Sequence, residues 1–208
     1  MDRKLFLGCG IAAALLYVIM LVFVPMGWPG YSSATQTVSE LSAIDAPTRH
    51  LWVALGIGYT LLIVLFGWGV RTAAGANRNL RIAGTILVVQ GIIGPLWPPM
   101  HLRGTIISLT DTLHIVFTAL NLALNLAVIA LAAAGLNKRF RIYSLVTVLV
   151  FIAGGAMTSF EVPNVAPNLP TPTIGIWERM NIAANLLWMS VFALTLMRRQ
   201  GSLRPGVA

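Results

Sequence analysis

Six runs of about 20 mostly apolar residues constrain this chain more than any other feature, because a helix needs about that many to cross the hydrocarbon of a bilayer. They cover residues 5–26, 51–70, 82–100, 109–131, 144–161 and 176–197. Composition closes the alternatives. Hydrophobic residues make up 57% of the chain and charged residues 10%, against about 25% charged in soluble domains. A soluble globular fold is excluded, and so is a disordered chain, which would be polar and charge-rich. Cys9 is the only cysteine, so there is no disulfide framework. None of the runs alternates between apolar and polar, which excludes a lipid-embedded β-barrel. The first run follows Met-Asp-Arg-Lys but is longer than the roughly 7–15 apolar residues of a signal peptide, and no small-x-small cleavage site follows it. It is expected to stay as the first span. The expected fold is one all-α domain over residues 1–208, a bundle of six transmembrane helices.

Charge sets the expected orientation. One set of helix ends, Arg204 included, carries all the Lys and Arg residues except Arg49, Arg103 and Arg179, which sit at the opposite ends. The positive-inside bias then places both termini in the cytoplasm, and an even number of spans agrees. A bacterial inner membrane is the expected location. The net charge of +8 is this topology signal and implies no nucleic-acid partner. The acids run the other way. Asp2 is on the terminal side, whereas Glu40, Asp45, Asp111, Glu161 and Glu178 fall at the outer ends, together with His50, His101 and His114.

Ionisable groups within spans are costly, and they usually face the bundle interior or a wet cavity. In the fourth run Asp111, His114, Thr118, Asn121 and Asn125 follow steps of three and four, which draws one stripe down a helix. The sixth run repeats the device with Glu178, Asn181 and Asn185, and Gln90 adds an amide to the third. Two readings stay open. The amides can be glue between helices, or the stripes can line a polar pocket whose mouth holds Asp111, His114 and Glu178.

The loops carry further signals. Thr37-x-x-Glu40 and Ser33-x-x-Gln36 both fit capping boxes, so a short helix is expected in the first outer loop, broken by Asp45-Ala-Pro. Trp28 and Tyr31 suit a membrane interface. Pro95, Pro98 and Pro99 predict a kinked or unwound end to the third span, carrying His101 and Arg103. The proline-rich stretch over 162–175 is expected to pack as a stiff lid. Arg179 is expected to pair with Asp111 or Glu161, or to compensate charge at its helix end. Gly56, Gly84 and Gly91 are expected to let helices approach closely.

At these residues the chain resembles a bacterial membrane family catalogued as domain of unknown function nine-nine-eight. The carrying motifs are Ser39-Glu-Leu-Ser-Ala43 with Asp45-Ala-Pro47, Pro99-Met-His-Leu-Arg-Gly104, Thr110-Asp-Thr-Leu-His114, Arg139-Phe-Arg-Ile-Tyr-Ser144, Asn168-Leu-Pro-Thr-Pro172 and Trp177-Glu-Arg-Met-Asn181. The resemblance covers nearly the whole chain and implies a six-span inner-membrane protein, with no established activity. A looser likeness is to the alkaline-ceramidase and adiponectin-receptor hydrolases, which hold an intramembrane zinc on three histidines. This chain has six apolar runs where that group has seven spans, and it lacks the His-x-x-x-His pair of the last span.

Three functions follow as expectations. In the first, an outward-facing polar pocket binds or carries a small or lipid-like ligand, with Arg103, Asn121, Asn181, Arg179 and Glu40 as ligand contacts. In the second, a zinc hydrolase has His50, His101 and His114 as metal ligands and Asp111 or Glu178 as general base. In the third, a non-enzymatic membrane partner uses the polar residues as packing glue. Membrane lipids are partners in all three.

Overall fold

The computed structural model describes residues 3–202; Arg204 and Asp2, which entered the charge argument, lie outside the described residues. Six long helices follow one another: α1 Arg3–Phe23, α2 Arg49–Ala73, α3 Arg78–Ile93, α4 Leu109–Gly135, α5 Lys138–Glu161 and α6 Ile174–Ser202. All six are long and apolar enough to cross a membrane. Among the described residues the only β pairing is an isolated bridge between Ile44 and His101.

Local chemistry sets the helix ends. Asn77 and Asn137 accept from the N–H groups of Leu80 and Phe140, which starts α3 and α5 at their basic turns. Asn77 also donates to the Gly135 carbonyl at 2.9 Å and so ties the α2–α3 turn to the end of α4. The third apolar run does not stay helical to its end. α3 stops at Ile93, a single 3-10 turn covers Gly94–Leu96, and the chain is irregular from there to α4, as its prolines predict. In the first outer loop the expected helix is one 3-10 turn, Ser39–Ser42.

Each helix packs on its neighbours in sequence, and α6 returns to α1, so the six close a ring. We call the end where α1 begins and α6 finishes basal, and the other distal. The α2–α3 seam is the closest. A Cβ on Gly84 would stand 2.6 Å from Arg71 N and 2.7 Å from Gly67 O, so these backbones touch. Gly91 meets Thr60 and Val64 in the same way, whereas Gly56 has open space around it and serves no such contact. One apolar core fills the basal half, from Leu7, Phe66, Val70, Leu80, Ala132, Phe140, Trp188 and Phe192 among others. Trp188 Nε1 donates to Ser144 Oγ at 3.0 Å, so the indole brings no unsatisfied donor into it.

Candidate functional site

The distal end is built from loop segments rather than from packed helices. Thr37 and Glu40 make the reciprocal bonds of a capping box: Thr37 N–H donates to Glu40 Oε2 at 2.6 Å, and Glu40 N–H to Thr37 Oγ1 at 3.2 Å. The second expected box, Ser33 with Gln36, does not form; Ser32 bonds Gln36 at a spacing of four instead, its N–H donating to Gln36 Oε1 and its Oγ accepting from Thr35 N–H. Glu40 is fully buried. Arg103 meets it as a fork, Nε to Oε1 at 2.7 Å and Nη2 to Oε2 at 2.9 Å. The same guanidinium donates to Thr171 Oγ1 and to the Thr35 carbonyl. One ion pair therefore joins the first loop, the irregular stretch after α3 and the proline-rich segment before α6. With its charge matched and its oxygens bonded, Glu40 is a tether. That saturation also leaves Arg103 with little capacity for the ligand-contact role its position suggested.

Glu178 and Arg179 are adjacent on α6 and work on opposite sides of the first loop. Val38 N–H donates to Glu178 Oε2 at 2.6 Å. Arg179 pairs with neither Asp111 nor Glu161. Its Nη1 donates to the carbonyls of Ser33, Gln36 and Gly175, and its Nη2 to the Tyr31 hydroxyl at 2.6 Å. Tyr31 in turn donates to the Thr37 carbonyl at 2.7 Å, so it is a strut in the loop rather than a free interface residue. Burial pushes its hydroxyl up to about 12, against the partial relief of Arg179, and this keeps it a neutral donor at physiological pH. Gly175 is required where loop and helix meet, because a Cβ there would collide with the carbonyl oxygens of Ser33 and Gln36.

Asp111 is equally committed. Its carboxylate accepts from the N–H groups of His101 and Ser108 and from Ser108 Oγ, and it lies 2.9 Å from His101 Nδ1. This is a capping box at the start of α4 with a histidine added. Glu161 caps α6 from across the lid, accepting from the backbone N–H groups of Thr173 and Ile174 and from the Thr173 hydroxyl. His114 is buried, with Nδ1 at 2.7 Å from the Pro98 carbonyl. The expected three-histidine centre does not assemble. Among the described residues no three His, Cys, Asp or Glu side chains are placed to hold a metal. His50 is exposed on the first turn of α2, and His101 and His114 both have Nδ1 engaged by other partners. Asp111, the carboxylate beside His101, is saturated by its donors.

Beneath this lattice the bundle changes character. No residue of α2 from 49 to 62 is fully buried. In the distal thirds of the other helices the buried residues are few: Met20, Gly91, His114, Gly154, Ile174 and Gly175. Polar and aromatic side chains occupy the layer. Gln90 Nε2 donates to Asn121 Oδ1 at 2.9 Å, while Gln90 Oε1 is sealed and has no partner. Asn125 donates to the Asn121 carbonyl. Asn181 lies against Gly154, and in the orientation that satisfies its amide it bonds Val150 O at 3.1 Å and Gly155 N at 3.0 Å, so it is α5–α6 glue. Asn185 is half-buried and its amide has no hydrogen bond among the described residues. Tyr17 and Tyr59 rest on the distal side of the core with ring centroids 4.9 Å apart, and Trp52 meets Tyr17 at 5.7 Å. Neither tyrosine hydroxyl has a partner, and neither is sealed away. The sequence reading missed these aromatics. In an apolar run an aromatic carries no polar signal, although Trp52, Tyr59 and Phe66 recur at helical spacing. Ser108 and Thr171 were missed for another reason, since a hydroxyl's partner across a fold leaves no mark in local spacing.

A ring of six spanning helices, with a basal core and a lattice of polar loops across its distal end, defines a multi-pass α-helical membrane protein. The chain belongs to the family described as protein of unknown function DUF998, which matches residues 11–195. No curated protein and no solved structure matches it.

Proposed function

We propose that this protein binds a small or lipid-like ligand in the distal half of its bundle, beneath the loop lattice. The observation that carries the reading is the uneven placement of buried side chains. One apolar core fills the basal half and the middle of the bundle, and the layer distal to it holds half-buried aromatics and amides with few buried side chains. Protein interiors normally pack as densely as organic crystals. A layer of a helix ring with so few buried side chains leaves space between its walls, and spaces between bundle helices with a few unpartnered polar groups are common ligand sites. The hydroxyls of Tyr17 and Tyr59 and the Asn185 amide supply those groups. The Lys and Arg distribution supports a cytoplasmic basal end in a bacterial inner membrane, so that the chamber faces outward. The saturated Asp111, Glu161 and Glu40 favour binding over hydrolysis, because their lone pairs hold loops in place.

The test is thermal unfolding of the detergent-purified protein against a panel of single-chain amphiphiles and small polar solutes. Saturable stabilisation that Asn185→Leu and Tyr59→Leu both weaken is the expected result. A panel in which no member shifts the wild type, or shifts all three proteins equally, contradicts the reading.

A further inference from the structure

The seam between α4 and α5 is tied at both ends and open between them. These two helices make the least contact of any neighbouring pair in the ring. At the basal end the turn between them is short, and Arg141 Nε donates to the Ala133 carbonyl at 3.4 Å. At the distal end Gly104, in the segment that leads into α4, donates its N–H at 2.9 Å to the carbonyl of Ala166, in the lid that follows α5. Arg103 adds its bond to Thr171 across the same gap.

The opening shows on one stripe of each helix. α3 lies to one side of α4, where Asn121 meets Gln90 and Gly135 meets Leu80. The α5 side carries Ala133 and, one turn before it, Ile129. Steps of seven from Ile129 reach Leu122 and then Ile115, on nearly the same face. Ile129 is 1% exposed, Leu122 42% and Ile115 57%. Thr118, between the last two, is exposed as well. On α5 the same steps run from Arg141 through Val148 to Gly155. Val148 packs against the core, whereas a Cβ on Gly155 would meet nothing within 4 Å. Ile152 and Ser159, one turn to either side of Gly155, are exposed. Each helix therefore has a face that its neighbour or the core covers basally and that nothing covers distally. From Ile115 to Leu122 alone the bare stretch runs about 10 Å along α4.

The chemistry of these walls selects an occupant. They carry no charged side chain. The Thr118 hydroxyl donates to the His114 carbonyl and the Ser159 hydroxyl to the Gly155 carbonyl, each at 2.8 Å, so both are satisfied within their own helices. Water finds too few partners in such a gap to be held there. The gap lies along two spanning helices, where the surrounding medium is lipid chains. The tied loops stand between it and the distal water.

We infer that this window admits the acyl chain of a lipid from the surrounding leaflet, so that the ligand of the bundle is a membrane lipid entering sideways between α4 and α5. The inference rests on the binding reading above and commits it to one ligand class and one route.

The experiment uses the full chain in vesicles of palmitoyl-oleoyl phosphatidylcholine doped with a phosphatidylcholine that carries a diazirine midway along one acyl chain. After illumination, peptide mass spectrometry locates the adducts. The expected result is adducts on Thr118 and Leu122 as well as on Leu120 and Leu149, which ordinary lipid contact also labels. Gly155→Phe fills the window from α5 and should remove the Thr118 and Leu122 adducts while Leu120 and Leu149 keep theirs. Gly155→Ala adds only a methyl group and should keep all four. Leu122→Trp fills the window from the other wall and should remove the Thr118 adduct, should Gly155→Phe fail to fold. After Cys9→Ser, Thr118→Cys in the same vesicles should resist a water-soluble methanethiosulfonate reagent. Absence of adducts at Thr118 and Leu122 in the wild type overturns the inference, and so does their persistence in folded Gly155→Phe. Modification of Thr118→Cys from water overturns the lipid route and leaves the binding reading standing. A flat melting panel in the test above contradicts the binding reading whatever the adducts show.

Discussion

The two halves of this bundle are held together by different forces. The basal half is cohesive because apolar side chains interlock and, at Gly67 and Gly84, because backbones touch. Toward the distal end this thins out: Gly91 still meets Thr60 and Val64, but few side chains are buried. Its segments are joined by charged hydrogen bonds, each tying a loop to another loop or to a helix end: Glu40 to Arg103, Arg179 to Tyr31, Asp111 to His101 and Glu161 to Thr173. The difference teaches that a membrane helix bundle can hold its two ends by different means, an interlocked core at one and a polar lattice at the other. In lipid, packing and interhelical hydrogen bonds must do the work that water-driven burial does elsewhere. A core at one end and a polar lattice at the other can brace the layer between them without filling it.

The comparison is broken most directly at its strongest tether. Glu40→Ala leaves the Arg103 guanidinium without its counter-ion among buried groups, and it is expected to cost about 3–5 kcal/mol. Chemical or thermal unfolding in detergent reads this. Replacing both partners with apolar residues should cost less than the single change. In the basal half, Gly84→Leu forces a side chain between α2 and α3. It is expected to cost about 1–3 kcal/mol by the same measurement, and it should leave amphiphile binding intact in the protein that remains folded.

Smaller effects sharpen the division. Asp111→Ala removes a capping carboxylate and is expected to cost about 0.5–2 kcal/mol. Its signature is lower stability with ligand response retained. Lost ligand response at unchanged stability would return Asp111 to the binding site. The smallest effect is alkaline. The Tyr31 hydroxyl is raised from 10.0 to about 12 in the folded protein. Between those values the unfolded chain ionises first, so stability is whole below pH 10 and falls as pH rises through the folded value. Tyr31→Phe should remove that part of the decline, which alkaline melting curves of the two proteins would show.

The fold was largely legible in the sequence because length and hydropathy are local properties. Six apolar runs gave six helices, and the prolines after Gly94 marked where α3 stops. The capping box at Thr37 and Glu40 was legible for the same reason. The distal site was legible as a list of residues but not as a set of roles. His50, His101 and His114 were expected as metal ligands, with Asp111 or Glu178 as base, because these polar residues group at one end; Asp111, His101 and His114 have other work. Their actual partners are a backbone N–H, a serine hydroxyl and a carbonyl, which no spacing announces. Charge alone suggested a carboxylate partner for Arg179 or compensation at its helix end, and the structure gives it carbonyls because the first loop folds over the start of α6. Tyr17 and Tyr59 were invisible because an aromatic in an apolar run carries no polar signal.

The central claim is that the distal half encloses reachable space and the basal half does not. Single cysteines at Asn185 and Ala193, introduced one at a time after Cys9→Ser, test it most directly through their rate of modification by a small water-soluble methanethiosulfonate reagent. Asn185 is half-buried with an unpartnered amide, and Ala193 is fully buried in the core. The account predicts fast, saturable labelling after Asn185→Cys, slowed by a ligand that raises the melting temperature, and none after Ala193→Cys in the folded protein. Equal resistance at both positions, in protein that remains folded, would contradict it.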